Sequence, residues 1–568
     1  MSGGHCADTE ETTLIEIKQI DGLMIREMAV AGSALLEANR TEVDALNVFP
    51  VPDGDTGTNM SLTMQSAVRE VSSREYLRAD EACAALSKGA LKGARGNSGV
   101  ITSQLLRGFA KALSGVEKIT PVQFAQAMKA GSDLAYKAVM KPKEGTILTV
   151  ARVMAEDAIR QAEQAPDDYD ALFETILRSG SEILKKTPDM LPALKQAGVV
   201  DSGGRGLLYI YTGYAAVLRG ESIEDLIRQN IADDGTFHDD HDAIRDFEFA
   251  YHVSFTLQRL SDDCTQGDVD SLRRRLNRIG NMVNIDGAEA PYRIHVHTNN
   301  PGSALEFGVE LGELTDVEII NMPAARRALN PEPDPEPAQE ESEEAPVQER
   351  KPYGMVAVSL GDGFSRIFRD LGIDTIVEGG QTMNPSIDDI LQAIRRTAAE
   401  TVFVFPDNGN VVMAANQAAE LADCKVYVIP TKNVAMGIAA AVAFQPDADA
   451  ETNARRMGEA AEHVKTATVT FAVRDSENNG VSIREGDYIG LHNGQIACAD
   501  SDLNKVVSSV MDAVMTEDDE LITIYYGSDV VEEDARKMAD EISSSYPDCD
   551  VECLAGGQPL YYYLISVE

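Results

Sequence analysis

The chain has 568 residues, 43% apolar and 25% charged, enough to bury several cores, and ordinary domain sizes divide it into about three or four units. Its 93 acidic against 50 basic residues leave a net charge of -43, a field that repels phosphate backbones and anionic lipid surfaces and argues against non-specific nucleic-acid or membrane binding. The opening MSGGHCADTEETT has no basic or apolar leader pattern, and no apolar run approaches the ~18–20 residues of a spanning helix, so a cytoplasmic protein without an integral membrane segment is expected.

From about Gly22 to Gly220 apolar residues recur at three- and four-residue spacing, as in LMIREMAVAGSALLEANR and SQLLRGFAKALSG, predicting helices almost throughout. Gly- and Asp-rich breaks separate them, and the chemistry is expected in those breaks. The first break, Asn47 to Met60, reads NVFPVPDGDTGTNM. Pro50 and Pro52 forbid a regular helix, Gly54 and Gly57 allow an unusual path, and Asp53 and Asp55 project from the loop. Two carboxylates at i and i+2 can converge on a hard cation such as Mg2+, with Asn47 and Thr56 adding neutral oxygens. Taken alone, DGD is equally a solvated turn.

GARGNSG (Gly93 to Gly99) runs straight into a predicted helix, so its backbone N–H groups, the Asn97 amide and the Ser98 hydroxyl point at a helix N-terminus suited to phosphate. VDSGGRG (Val200 to Gly206) repeats that composition ahead of LLYIYTGYAAV. Neither loop is a GxxxxGK[ST] motif and neither follows a strand; as isolated segments both are equally plain helix-to-helix punctuation.

Next come a strand (FEFAYHVSFTLQRL), a helix (SLRRRLNRIGNMV) and a second strand (YRIHVHTNN), a small α+β unit. His295 and His297 alternate along one strand and share a face, with His252 on another, a sound zinc set, although such histidines more often serve packing or hydrogen bonding. His238 and His241 read as solvated linker residues. Asn330 to Arg350 is dominated by Pro, Glu and Asp, a composition that stays extended. Beyond it YGMVAVSL, DTIVEGG, ETVFVFP and KVYVIPT alternate with helical segments, the pattern of a parallel sheet, and TVTFAVR, LITIYYG and YYYLISV repeat the theme. TMNPS and PTKN at strand ends suit a polar rim at the carboxyl edge of that sheet, or ordinary turns. Seven scattered cysteines without a CxxC pair exclude a disulfide framework.

The ordered set DGDTGTNM, GARGNSG, EGTILTV (Glu144 to Val150) and DSGGRG resembles the nucleotide-binding L domain of the dihydroxyacetone kinase family. The variant LNVFPVPDGDTGTNM, the middle HVHTNNPG and the C-terminal GGQTMNPS and FPDNGN are similar to fatty acid kinase subunits. The resemblance implies a multidomain chain: an all-α eight-helix barrel at 1–228, an α+β middle domain at 240–329, an acidic linker at 330–351 and a DegV-like α/β domain at 352–568. It further implies ATP and Mg2+ as cofactors, with Asp53 and Asp55 as metal ligands and catalytic residues. Asn47, Thr56, Asn59, Gly96, Asn97, Ser98, Gly99, Thr146, Asp201 and Gly203 then belong to the nucleotide pocket. Zinc on His252, His295 and His297 is expected as well, with His252 standing where such subunits carry a cysteine. The activity implied is transfer of the ATP γ-phosphate to a fatty acid carboxylate presented by a separate DegV-like carrier, feeding phospholipid synthesis; a homodimer is expected separately, from large exposed helical faces. A subunit of a sugar or triose kinase, or a non-catalytic nucleotide- and lipid-sensing scaffold, are the competing readings.

Overall fold

The computed structural model describes residues 19–47, 54–139, 141–222, 350–380, 383–472, 476–478 and 481–568, and between them 251–260, 269, 272–273, 275–276, 280–286, 292–298, 301–309 and 311–321. Two compact units emerge: Met1–Asn230 with Val347–Glu568, and Ile231–Pro346. The acidic stretch 330–349 and His238 and His241 lie outside the described residues.

Eight helices of 15 to 18 residues build the first part of the larger unit: α1 (Gly22–Ala38), α3 (Thr56–Val71), α4 (Ala79–Gly93), α5 (Gly96–Ala112), α6 (Pro121–Ala138), α7 (Ile147–Gln164), α8 (Tyr169–Leu184) and α11 (Ser202–Arg219). Short helices α2 (Arg40–Ala45), α9 (Thr187–Met190) and α10 (Pro192–Ala197) fill two of the connections. Each long helix packs on the next and α11 returns to α1, closing a barrel. Its interior is apolar because every helix turns one stripe inward. Met28, Met64, Phe124, Met154 and Phe173 are buried there, with the Phe109, Phe124 and Phe173 rings in successive contact at 5.1 Å.

Short connections between neighbouring helices make them antiparallel. The N-termini of α3, α5, α7 and α11, every second member of the ring, therefore share one end of the barrel. Side-chain contacts agree: Ser98 at the start of α5 lies 3.5 Å from the Thr56 carbonyl at the start of α3. Met60 of α3 packs on Gly206 of α11, and Gly203 of α11 packs on Ile147 of α7.

The smaller unit holds an antiparallel sheet ordered β2-β3-β1-β4, with β1 at Tyr251–Leu260, β2 at Gly280–Asp286, β3 at Tyr292–Thr298 and β4 at Gly312–Asn321. The expected helix SLRRRLNRIGNMV is corrected here. Residues 272–273 and 275–276 are helical, but Gly280 onward is strand, because Ile285 enters the core against Ile294 and β3 supplies the pairing partner.

From Lys351 the chain belongs again to the larger unit. Strands β5 (Lys351–Ser359), β6 (Thr375–Glu378), β7 (Ala399–Phe405) and β8 (Lys425–Val428) form a parallel sheet ordered β6-β5-β7-β8. A second sheet departs from the expected parallel theme. Strand β9 (Lys465–Phe471) is followed by a short ribbon of β10 (Ser476–Asn478) and β11 (Val481–Ile483). It is flanked by β12 (Tyr488–His492) and β16 (Tyr563–Val567), both antiparallel to it, and β13 (Gln495–Asp500) pairs antiparallel on β12. Only β14 (Leu521–Tyr526) and β15 (Asp550–Ala555) run parallel among its described strands, and the helix Glu532–Ser545 makes that crossover. The seven residues between β15 and β16 are too few for a crossover helix, so β16 returns antiparallel to β14.

The carboxyl edge of the parallel sheet meets the barrel at the end where the four N-termini converge. Ala94 and Val100 of the barrel are buried in one apolar cluster with Ile387, Ile390, Val411 and Ala414. Arg95 bridges Ser386 in antiparallel fashion, and the Ile387 N–H donates to the Ala94 carbonyl at 3.1 Å.

Candidate functional site

Asp55 is the N-cap position of α3 and is only 8% exposed. Its carbonyl accepts from the Asn59 N–H at 2.8 Å, while Thr56 and Asn59 are buried beside it. The first turn of α3 is held from behind by Asp44 of α2, which sequence reasoning missed. Its carboxylate accepts from the Thr58 N–H at 3.0 Å and the Thr58 hydroxyl at 2.8 Å. Burial raises the Asp44 carboxyl above its ordinary pKa, although the hydrogen bonds from Thr58 and Gly57 and the Arg40 charge pull it down. Gly57 permits this packing, since a Cβ there would stand 2.4 Å from the Arg40 carbonyl. No motif advertises Asp44 in RTEVDALN; a carboxylate shortly ahead of the loop was the available signal. Asn47 continues from α2, its N–H donating to the Asp44 carbonyl at 3.0 Å. Asp53 lies outside the described residues.

The α5 loop comes next to this turn. Gly96 adopts a positive φ of 55°, and a Cβ on it would lie 2.5 Å from the Asn59 amide nitrogen. Gly99 touches Thr63 and the Asn59 carbonyl, so α5 crosses α3 closely enough to bring Asn97 and Ser98 to the same end.

The third and fourth loops pair with each other. Thr146 caps α7 with extended backbone, and its hydroxyl donates to the Lys143 carbonyl at 2.8 Å. Glu144 holds that loop from outside, accepting from Thr149, Arg152 and Tyr136 at 2.7, 2.9 and 3.0 Å, which lowers its pKa. Asp201 caps α11, accepting from the Gly204 N–H at 2.7 Å, and also accepts from the Ile147 N–H at the start of α7. Burial pushes its carboxyl up to about 6 against those two hydrogen bonds. Thus Asp55, Thr56, Asn59, Gly96, Asn97, Ser98 and Gly99 form one cluster, and Thr146, Asp201 and Gly203 a second, on the same barrel end.

Four helix N-termini converging there sum their partial positive charge, an arrangement for polyanionic phosphate, although the N–H groups of Gly57, Thr58, Ile147 and Gly204 already donate to Asp44 and Asp201. The sheet edge adds groups that sequence reasoning left as a polar rim. The Asn384 amide of TMNPS donates to Asp55 Oδ2 at 2.6 Å, and the Asn97 amide donates to Asn410 Oδ1 at 2.8 Å. Arg95 donates to the Asn384 carbonyl at 2.9 Å and pairs with Asp389 at 3.4 Å. Nearby, Asp407 is buried at a φ of 51°, and both its carboxyl oxygens lack a hydrogen-bond partner among the described residues.

In the smaller unit, position 252 stands directly opposite 297 across β1 and β3, and 295 opposite Ser254. Their alternates Val253, Ile294 and Val296 are core, so the register puts all three histidine positions on the other face. The side chains of His252, His295 and His297 lie outside the described residues. Among the described residues no group of three His, Cys, Asp or Glu is placed to hold a metal. No described helix is long and apolar enough to cross a membrane.

Comparison with known proteins assigns the helical barrel to a class: a DAK2 domain model matches residues 50–216. The FakA-like models of fatty acid kinase, for the middle domain and the C-terminal region, match 248–329 and 354–568. Protein YloV of Bacillus subtilis (strain 168) is 41% identical over 560 residues, 98% of this chain and 100% of its own. An uncharacterized protein of Staphylococcus aureus (strain USA300) is 38% identical over 556 residues, 97% of this chain and 100% of its own. The chain belongs to the FakA-like family of fatty acid kinase subunits. Among solved structures, DegV, a fatty acid binding protein from Bacillus subtilis, covers 38% of this chain and 99% of its own at 13% identity and a TM-score of 0.30.

Proposed function

We propose that this chain is the ATP-using subunit of a fatty acid kinase, transferring the γ-phosphate to the carboxylate of a fatty acid presented by a separate DegV-like carrier protein. The observation that carries the reading is the convergence of four helix N-termini and the Asp55 carboxylate on one barrel end, in a member of this family. The nucleophile needs no base: a carboxylic acid of pKa about 4 to 5 is already ionised at neutral pH. The task of the site is therefore to bring two anions together. The N–H groups of GARGNSG and DSGGRG hold the phosphates, and the acyl carboxylate oxygen approaches the γ-phosphorus in line. The new O–P bond forms as the bond to the β–γ bridging oxygen breaks, leaving ADP with that electron pair and an acyl phosphate.

The donor set fits Mg2+, because the buried Asp55 carboxylate lies beside an oxygen of Asn384 that has no hydrogen-bond partner among the described residues, hard ligands of the kind this ion takes. Asp55 and Asp53 would hold it, and it would neutralise phosphate charge. The histidine positions 252, 295 and 297 support a zinc site in the middle unit, to be checked by metal content of the purified chain and of its His295→Ala and His297→Ala variants.

The deciding measurement is phosphate transfer from labelled ATP to a long-chain fatty acid, with and without a DegV-like carrier. Carrier-dependent acyl phosphate is expected, falling about a hundredfold or more in Asp55→Ala, the several kcal/mol that a lost metal ligand removes. ATP binding without acyl transfer, or transfer to a triose instead, would sink the reading.

A further inference from the structure

The contact between Asn384 and Asp55 joins residues 329 positions apart in sequence, both deep in the protein at 3% and 8% exposure. Its polarity is dictated by Asp55: an ionised carboxylate only accepts, so the Asn384 amide must turn its NH2 group toward it and its oxygen away. That oxygen, Oδ1, is buried and has no hydrogen-bond partner among the described residues. A buried acceptor left unmade costs about 1–3 kcal/mol, so a folded chain keeps one where something else satisfies it. The surroundings define that partner. Asn384 Nδ2 sits 3.3 Å from where a Cβ on Gly96 would stand, close to the Asn59 amide, so the group lies where the α3 and α5 N-termini meet. An ionised phosphate offers only acceptors and cannot satisfy Oδ1. A divalent cation, or water bound to one, can satisfy both this oxygen and the Asp55 carboxylate.

We infer that Asn384, supplied by the C-terminal α/β half, is a positioning residue of the phosphate site, orienting Asp55 through its amide and receiving a metal-bound water or the cation through Oδ1. This rests on the kinase reading above and adds that the barrel's site is completed by the second half of the chain. Adhesion between the halves is provided elsewhere, by the apolar cluster around Ala94, Val100 and Ile387 and by Gln104 donating to Gln417 at 2.8 Å. Asn384 differs from those contacts in engaging the carboxylate.

The test uses the full chain and a fluorescent ATP analogue, titrated with and without Mg2+ and at graded Mg2+ concentrations. Asn384→Ala is expected to weaken Mg2+-dependent binding by about ten- to a hundredfold, the usual loss when a partner of a metal ligand is removed, with little change in metal-free binding. Asn384→Asp keeps the shape, adds a second carboxylate beside Asp55, and should lower the Mg2+ concentration needed for half-saturation while weakening metal-free binding. Gln417→Ala, which breaks an adhesive contact only, should match the unsubstituted chain throughout. An unchanged Mg2+ dependence in both Asn384 variants, or a loss shared equally by Gln417→Ala, overturns the inference alone. Absence of Mg2+-nucleotide binding by the unsubstituted chain refutes the kinase reading and the inference with it.

Discussion

Asp44→Ala removes the side chain that ties α2 to the first turn of α3. Two hydrogen bonds from Thr58 are lost, together with the one from the Gly57 N–H. The one from the Thr58 N–H is a helix cap, with a typical cost of about 0.5–2 kcal/mol, and the one from the Thr58 hydroxyl adds about 0.5–1.5 kcal/mol. Against this, burial raises the Asp44 pKa, so the folded chain holds that charge at a desolvation cost which the substitution relieves. The net expectation is a loss of about 1–2 kcal/mol, together with weaker nucleotide binding because Asp55, Thr56 and Asn59 ride on the same turn. Asp44→Asn keeps an acceptor for the Thr58 N–H and sheds the charge, so it should cost under about 0.5 kcal/mol. The sign with pH follows from the raised pKa: the charged form is penalised in the folded chain, so wild-type stability falls as pH rises past 3.8 and through the folded value. Asp44→Asn should therefore compare better with wild type at pH 7 than at pH 4. Urea unfolding followed by helical circular dichroism, with nucleotide titration alongside, checks this. An Asp44→Ala chain as stable and as tight-binding as wild type, or an Asp44→Asn chain equally damaged, would refute the reasoning.

Gly96→Ala forces a left-handed φ on an L-residue, at about 1 kcal/mol, and drives its Cβ into the Asn59 amide; nucleotide affinity should drop about tenfold, and an unchanged titration would contradict the geometry. Asp201 titrates near 6 when folded and 3.8 when unfolded, so its contribution to stability is present at low pH and lost as pH climbs through about 6. Asp201→Asn should thus gain on wild type between pH 5 and pH 8, by about 1.4 kcal/mol, and parallel melting curves across that range would disprove it. Asp407 is held far above its ordinary pKa by burial, and asparagine tolerates its left-handed φ. Asp407→Asn is accordingly expected to raise the melting temperature at pH 8 by about 2 °C or more, with a drop showing that the carboxyl has a partner it needs.

The helical barrel and the loops at its functional end were legible in local sequence, because helix periodicity and the Gly, Pro and Asp breaks act within a few residues of each other. GARGNSG and DSGGRG each announce a helix start, and the start of a helix is a local event; DGDTGTNM reads as a loop, although α3 already begins at Thr56. The parallel sheet of β5 to β8 was readable for the same reason, as short apolar strands spaced by helices. Other features were not local. Gly280–Asp286 carries a helical pattern yet pairs as a strand, since β3 and a core position for Ile285 exist only in the folded unit. The antiparallel return of β16 depends on how short its connection is relative to a crossover, and Asp44 gains its role only from lying against Thr58. The meeting of Asn384 with Asp55 belongs wholly to tertiary structure. The residue types at both positions are plain in the sequence, but a contact across 329 residues is set by burying Ile387 against Ala94 and Val100, and apolar packing between distant segments leaves no periodicity to read.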